Sequence, residues 1–123
     1  MSRHILLIDD EDDIREIVAL SLESVAGWQV SCAKSGIAGV EMAQNTSPDA
    51  ILLDLMMPGQ DGLATLRLLQ SNAGTAKIPV VFLTAKAQRQ ANDSLRSIGA
   101  AGVLGKPFDP LTLADQLKRV LGW

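Results

Sequence analysis

The sequence predicts an α/β fold: a doubly wound, five-stranded parallel sheet covered by five helices. Three observations lead there. The short apolar runs are continuous rather than alternating, as in strands buried on both faces. Longer segments of helical periodicity separate them, and strand and helix alternate five times. Polar or charged residues then close four of the apolar runs, at the sheet edge where parallel α/β folds bind ligands.

Ile5-Leu6-Leu7-Ile8 forms the first strand. Ile14, Ile17, Val18, Leu22 and Val25 mark the buried face of a first helix, which ends before Gly27. Trp28 to Ala33 alternates, as suits a second strand near an edge. Ser35 caps a second helix through Ile37, Val40 and Ala43, which stops before Ser47-Pro48. Ala50-Ile51-Leu52-Leu53 is the third strand, and Leu63, Leu66 and Leu69 line the third helix. Val80-Val81-Phe82-Leu83 is the fourth strand, followed by a short helix with Leu95 and Ile98. Val103-Leu104, between Gly102 and Gly105, is the last strand. Asp109-Pro110 opens the fifth helix with a capping carboxylate and a proline at the first helical position. Its buried face is Leu113, Leu117, Val120 and Leu121.

The 123 residues, 47% apolar and 20% charged, suit one domain over residues 1–123 with a single core and argue against disorder. No apolar run approaches the roughly 20 residues that cross a bilayer, and no export leader opens the chain. Cys32 is the only cysteine, which excludes an internal disulfide or a site built on several thiolates and points to a reducing, cytoplasmic setting. A net charge of −3 does not favour nucleic-acid binding. The charge is unevenly spread: residues 1–61 carry 11 acids and 3 bases, residues 62–123 carry 3 acids and 8 bases. Five acids, Asp9 to Asp13, are consecutive and directly follow a buried strand.

The residues that close the strands are Asp9 and Asp10, Asp54, Thr84, and Lys106-Pro107. Three carboxylates brought together repel one another unless they are neutralised. A hard divalent cation does this, and Mg²⁺ takes one or two carboxylates, waters and a phosphate oxygen rather than a full protein cage. With a lysine, a hydroxyl and a spare carboxylate beside it, such a site suits phosphoryl transfer to a carboxylate nucleophile.

Five fragments carry a family resemblance: Leu7-Ile8-Asp9-Asp10-Glu11, Leu52-Leu53-Asp54-Leu55-Met56-Met57-Pro58-Gly59, Asp61-Gly62, Leu83-Thr84-Ala85 and Lys106-Pro107-Phe108. Together, each at its strand end, they resemble the receiver domain of two-component response regulators. The resemblance implies the flavodoxin-like receiver fold with strand order 2-1-3-4-5. It implies that Asp54 accepts a phosphoryl group from a sensor histidine kinase or histidine phosphotransfer protein. Asp10, Asp54 and the Met56 carbonyl would ligate Mg²⁺, with Asp9 assisting through water. Lys106 would pair with the phosphoryl oxygens, the Lys106–Pro107 bond would be cis, and Thr84 would donate to the phosphoryl group and report its presence. The output would be a surface of the fourth helix, fifth strand and fifth helix, presented to a downstream protein. Such a chain catalyses only its own phosphorylation and dephosphorylation, and binds neither DNA nor membrane itself. Where many receivers carry a switching aromatic, three positions before the lysine, this sequence has Val103.

Plainer roles fit other positions. Glu11, Asp12 and Asp13 offset the dipole of the first helix. Pro58, Gly59 and Gly62 read as turn chemistry. His4, ahead of the first strand at the opposite end, reads as a surface residue, and Cys32 as core filling. Two other functions use the same residues: a small Mg²⁺-dependent phosphatase with Asp10 as nucleophile, and a degenerate receiver acting as a scaffold. A chain of this length leaves no room for a phosphatase cap, and every functional position of a receiver is filled.

Overall fold

A computed structural model describes residues 3–57, 62–84 and 94–123. In chain order its elements are β1 (His4–Ile8), α1 (Asp12–Ala26), β2 (Gln29–Ala33), α2 (Gly36–Thr46), β3 (Ala50–Asp54), α3 (Gly62–Gln70), β4 (Val80–Thr84), a helical segment α4 described over 94–97, β5 (Gly102–Gly105) and α5 (Leu113–Leu121). All strand pairs are parallel and the sheet order is β2-β1-β3-β4-β5, so β2 lies at an edge.

Alternate residues of each strand feed two cores. On one face Ile5, Leu7, Leu52, Val81 and Leu83 pack under Val18 and Leu22 of α1 and Leu113 and Leu117 of α5. On the other, Leu6, Ile8, Ile51, Leu53 and Phe82 pack under Ala43 of α2, Leu66 and Leu69 of α3, and Leu95. β3 and β4 are buried along their whole length, which explains their unbroken apolar runs. Cys32 is half-buried against the first core, and burial pushes its thiol pKa up, with Glu23 adding to the rise and Arg15 opposing it.

The local signals act as physical chemistry requires. Gly27 takes the left-handed conformation (φ 69°) after α1, and the Trp28 N–H reaches back to the Leu22 carbonyl at 3.1 Å. That turn delivers Trp28 into the core, edge-on to Trp123 at 5.5 Å. The Ser35 hydroxyl accepts the Ala38 N–H at 3.2 Å and caps α2.

Several expectations change. The buried face of α1 is narrower than its periodicity suggests: Ile17 is 41% and Val25 50% exposed, bordering with Leu20, Pro110 and Leu111 a groove beside the helix. On α2 the buried positions are Gly36, Gly39 and Ala43, and Ile37 is 70% exposed. Finally, α5 begins at Leu113 rather than Pro110. The Asp109 carboxylate accepts the Leu111 N–H at 2.9 Å and its carbonyl accepts the Thr112 N–H at 3.0 Å. Asp-Pro thus occupies the first two positions of a turn, a role for which both residues are equally suited. His4 belongs to β1 itself, its Nε2 2.8 Å from the Ser31 hydroxyl.

Candidate functional site

The strand ends meet at the carboxyl edge of the sheet. β1 runs into Asp9, β3 ends on Asp54, β4 ends on Thr84, and Lys106 follows β5. Asp9, Asp54 and Thr84 are buried, and the Lys106 side chain is nearly so. Each buried aspartate folds onto the chain just after it. Asp9 Oδ1 accepts the Glu11 N–H at 2.9 Å, and Asp54 Oδ1 accepts the Met56 N–H at 3.2 Å. Such bonds to the amide two residues on hold the carboxylates in one orientation.

Lys106 Nζ lies 3.0 Å from Asp9 Oδ2, 3.5 Å from Asp54 Oδ1 and 3.8 Å from Glu11 Oε1. Asp9, Asp10, Glu11 and Asp54 each offer a carboxylate oxygen within 4.8 Å of the others. The Lys106 ammonium therefore meets three carboxylates of a cluster of four. Burial pushes the Asp54 carboxyl above its ordinary pKa; the Met56 amide opposes this, the charge of Asp9 adds to it, and Lys106 opposes it. For Lys106, burial disfavours the ammonium, but the bond to Asp9 and the charges of Asp9, Asp54 and Glu11 outweigh burial and raise its pKa. The Lys106 N–H donates to the Thr84 carbonyl at 2.8 Å, and the Lys106–Pro107 bond is cis.

This donor set fits a hard cation. All four groups are carboxylates, the oxygen ligands that Mg²⁺ prefers, and exposed Asp10 and Glu11 leave room for the waters it retains. Among the described residues the clustered carboxylates outnumber the cations beside them, Lys106 and Arg15, and this excess of negative charge is the physical reason a divalent ion would be drawn in.

Of the residues singled out in the sequence, Asp9, Asp10, Asp54 and Lys106 are brought together, with Thr84 at the adjoining strand end and the Met56 amide on Asp54. The Met56 side chain is 74% exposed. Val103 is half-buried on β5 against the core under α2 and α3. Pro58, Gly59 and Asp61, and the segment from Ala85 to Gln90, lie outside the described residues.

Sequence reasoning missed three residues. Glu11 joins the carboxylate cluster instead of serving only the helix dipole. Arg15 donates to the Asp9 carbonyl at 2.8 Å and pairs with Asp12. Gly62 is needed for space: a Cβ there would lie 2.7 Å from the Asp54 carbonyl oxygen and 2.8 Å from the Leu55 Cα. The only advance signal for Glu11 was its place directly after Asp9-Asp10.

A parallel 2-1-3-4-5 sheet with an acidic cleft at its carboxyl edge defines the class: a flavodoxin-like receiver fold. The chain belongs to the response regulator receiver domain family, whose pattern it matches over residues 5–118. It is 36% identical over 121 residues to the phosphate regulon transcriptional regulatory protein PhoB of Pseudomonas aeruginosa, covering 98% of this chain and 52% of that protein. The chain thus spans about half the length of the curated relatives it matches. Among solved structures it resembles the chemotaxis protein CheY4 of Vibrio cholerae, with TM-score 0.89, 30% identity, and 98% and 99% of the two chains covered. It also resembles the receiver domain of the sensor histidine kinase PA1611 of Pseudomonas aeruginosa, with TM-score 0.84, 28% identity and both chains fully covered. In that structure a magnesium ion is coordinated in the active-site cleft.

Proposed function

We propose that residues 1–123 act as a single receiver that accepts a phosphoryl group on Asp54 from a phosphohistidine of a sensor histidine kinase or histidine phosphotransfer protein. The observation that carries this reading is the buried Asp54 carboxylate, 3.5 Å from the Lys106 ammonium and clustered with three further carboxylates. In the transfer, an Asp54 oxygen bonds to phosphorus, the P–N bond of the phosphohistidine breaks, and the imidazole leaves with the electron pair. Lys106 offers its positive charge to the phosphoryl oxygens, and the Thr84 hydroxyl donates to the same group. Asp10, Asp54 and the Met56 carbonyl would hold Mg²⁺, with Asp9 acting through water. When bound, the ion neutralises charge on the phosphoryl oxygens. The PA1611 receiver, with magnesium in its cleft, supports this assignment.

The acyl phosphate changes the charge at the strand ends, and Thr84 passes that change to a protein-docking surface on α4, β5 and α5. The chain works as a cytoplasmic signalling switch and turns over no substrate but its own phosphoryl group. The transcriptional role is part of the names of relatives about twice as long as this chain.

The test is incubation with acetyl phosphate and Mg²⁺, with the modified residue mapped by mass spectrometry. Label on Asp54 that disappears in Asp54→Asn and on chelation is the expected result. Label on Asp10 would instead support an aspartyl phosphatase, and no Mg²⁺-dependent label would support a scaffold.

A further inference from the structure

We propose that Arg15 is a positioning residue of the acidic site, holding the peptide from which its carboxylates project. The inference rests on the functional reading above. Arg15 lies in the second turn of α1 with its side chain only 13% exposed. Nη1 donates to the Asp9 carbonyl at 2.8 Å, and Nη2 pairs with the Asp12 carboxylate, whose side chain is 87% exposed. Asp12 is therefore the solvent side of a clamp whose inner end is the site backbone.

The Asp9 carbonyl is a critical place to hold. The Asp9 N–H makes the last bond from β1 toward β2, to the Ala33 carbonyl at 3.1 Å, and its side chain holds the Glu11 N–H. The Asp9–Asp10 peptide is where the chain leaves the sheet, and Arg15 takes its carbonyl. That bond fixes the point from which exposed Asp10 starts. A guanidinium suits the task because its planar fork serves two acceptors in fixed directions, here a carbonyl and a carboxylate, which an ammonium cannot copy.

Charge and positioning predict opposite signs. As a mere cation beside four carboxylates, Arg15 opposes metal binding, and its removal would tighten Mg²⁺. As a positioning residue it supports binding, and its removal weakens Mg²⁺. The experiment is an Mg²⁺ titration of the unphosphorylated protein, followed by backbone amide shifts of Asp10, Glu11 and Met56. Arg15→Gln and Arg15→Lys should both weaken binding by about tenfold, the lower end of losses seen when groups supporting metal ligands are removed. Amide exchange at Glu11 should quicken in both.

Two further variants decide the matter even if Arg15 substitutions unfold the chain. Asp12→Asn and Asp13→Asn remove the same charge from exposed positions of the same helical turn, but only Asp12 holds Arg15. Asp12→Asn should weaken Mg²⁺ more. Binding that is unchanged or tighter in Arg15→Gln, normal in Arg15→Lys, or equal in the two aspartate variants overturns the inference. Absence of Mg²⁺ binding by the unaltered protein overturns the functional reading, and this inference with it.

Discussion

Lys106 and Asp9, 97 residues apart in sequence, form the ion pair that closes the site, with Nζ 3.0 Å from Oδ2. Asp9 is fully buried, and Lys106 is the cation that meets its carboxylate there. Lys106→Met should leave an uncompensated carboxylate in the interior and cost about 3 kcal/mol. Adding Asp9→Asn should recover part of that loss, which urea denaturation of both single variants and the double variant measures as a coupling energy. A loss in the double variant equal to the sum of the two single-variant losses would show that the pair contributes nothing. The raised pKa of Lys106 sets the sign with pH: the pair's contribution is full below the unfolded lysine value and is lost as pH rises through Lys106's own.

Asp54 has the opposite balance. Its folded-state pKa lies above the ordinary value, chiefly through burial, so ionising it works against the fold. Between the unfolded and folded pKa values the folded state binds more protons, and stability falls as pH rises through that window. Asp54→Asn should therefore stabilise the protein at neutral pH, by about 1 kcal/mol or roughly 3–6 °C in Tm. The gain should vanish below the unfolded carboxylate value of about 4. Thermal melts at pH 7 and pH 3 check both the sign and its disappearance.

Gly62 and Gly27 separate two reasons for a glycine. At Gly62 an added Cβ meets backbone atoms of Asp54 and Leu55 at 2.7 and 2.8 Å. At Gly27 the added atom finds open space, and the cost is conformational, since φ is +69°. Gly27→Ala should cost about 1 kcal/mol and leave phosphorylation untouched. Gly62→Ala should cost roughly 1–3 kcal/mol and slow phosphorylation as well, because the displaced backbone carries Asp54. Equal phosphorylation rates in the two variants would remove the link between Gly62 and the site.

Asp10 and Asp13 both belong to the acidic run, but only Asp10 has its carboxylate in the cluster. Asp10→Ala should weaken Mg²⁺ binding by well over about tenfold, since removal of an outer group alone costs roughly that much. Asp13→Ala should change it by less than about twofold, the effect of one exposed and screened charge. Calorimetric titration distinguishes the two, and equal losses would mean the run binds as an undifferentiated patch.

The strands and the gathering of Asp9, Asp10, Asp54 and Lys106 were legible because they follow from one rule: parallel strands put all their carboxyl ends on one edge. Glu11 and Arg15 were not legible because their places depend on how the chain turns after β1. That turn is set by the Asp9 side chain on the Glu11 amide, and helical periodicity carries no trace of it. Gly62 read as a turn residue because composition does not reveal how closely two backbones approach. Ile17, Val25 and Ile37 show the limit of periodicity itself, which gives the direction of a helix face but not how much of it a neighbour covers. Asp109-Pro110 shows a local ambiguity, since the same pair starts a helix or a turn equally well.

Val103 bears on the proposed route from the phosphoryl group to the surface. A β-branched side chain has one stiff torsion and no ring to swing between buried and exposed states. Here it is half-buried on β5, packed with the core that includes Phe82 and Leu95. On the opposite face Gly102 lets α5 approach so closely that an added Cβ would lie 2.2 Å from Val120 Cγ1. β5 is thus clamped from both sides, and the relay should run through Thr84 rather than through β5. We predict that a phosphoryl mimic shifts backbone amides near Thr84 and along α4 and the exposed face of α5, with small changes at Val103. Thr84→Ala should abolish the distant shifts while those at Asp10, Glu11 and Met56 persist, because the hydroxyl is the proposed link and not a metal ligand. Val103→Tyr should enlarge the distant shifts by giving β5 a side chain that can change its burial. Shifts confined to the acidic cleft in the unaltered protein would mean that no output surface is switched.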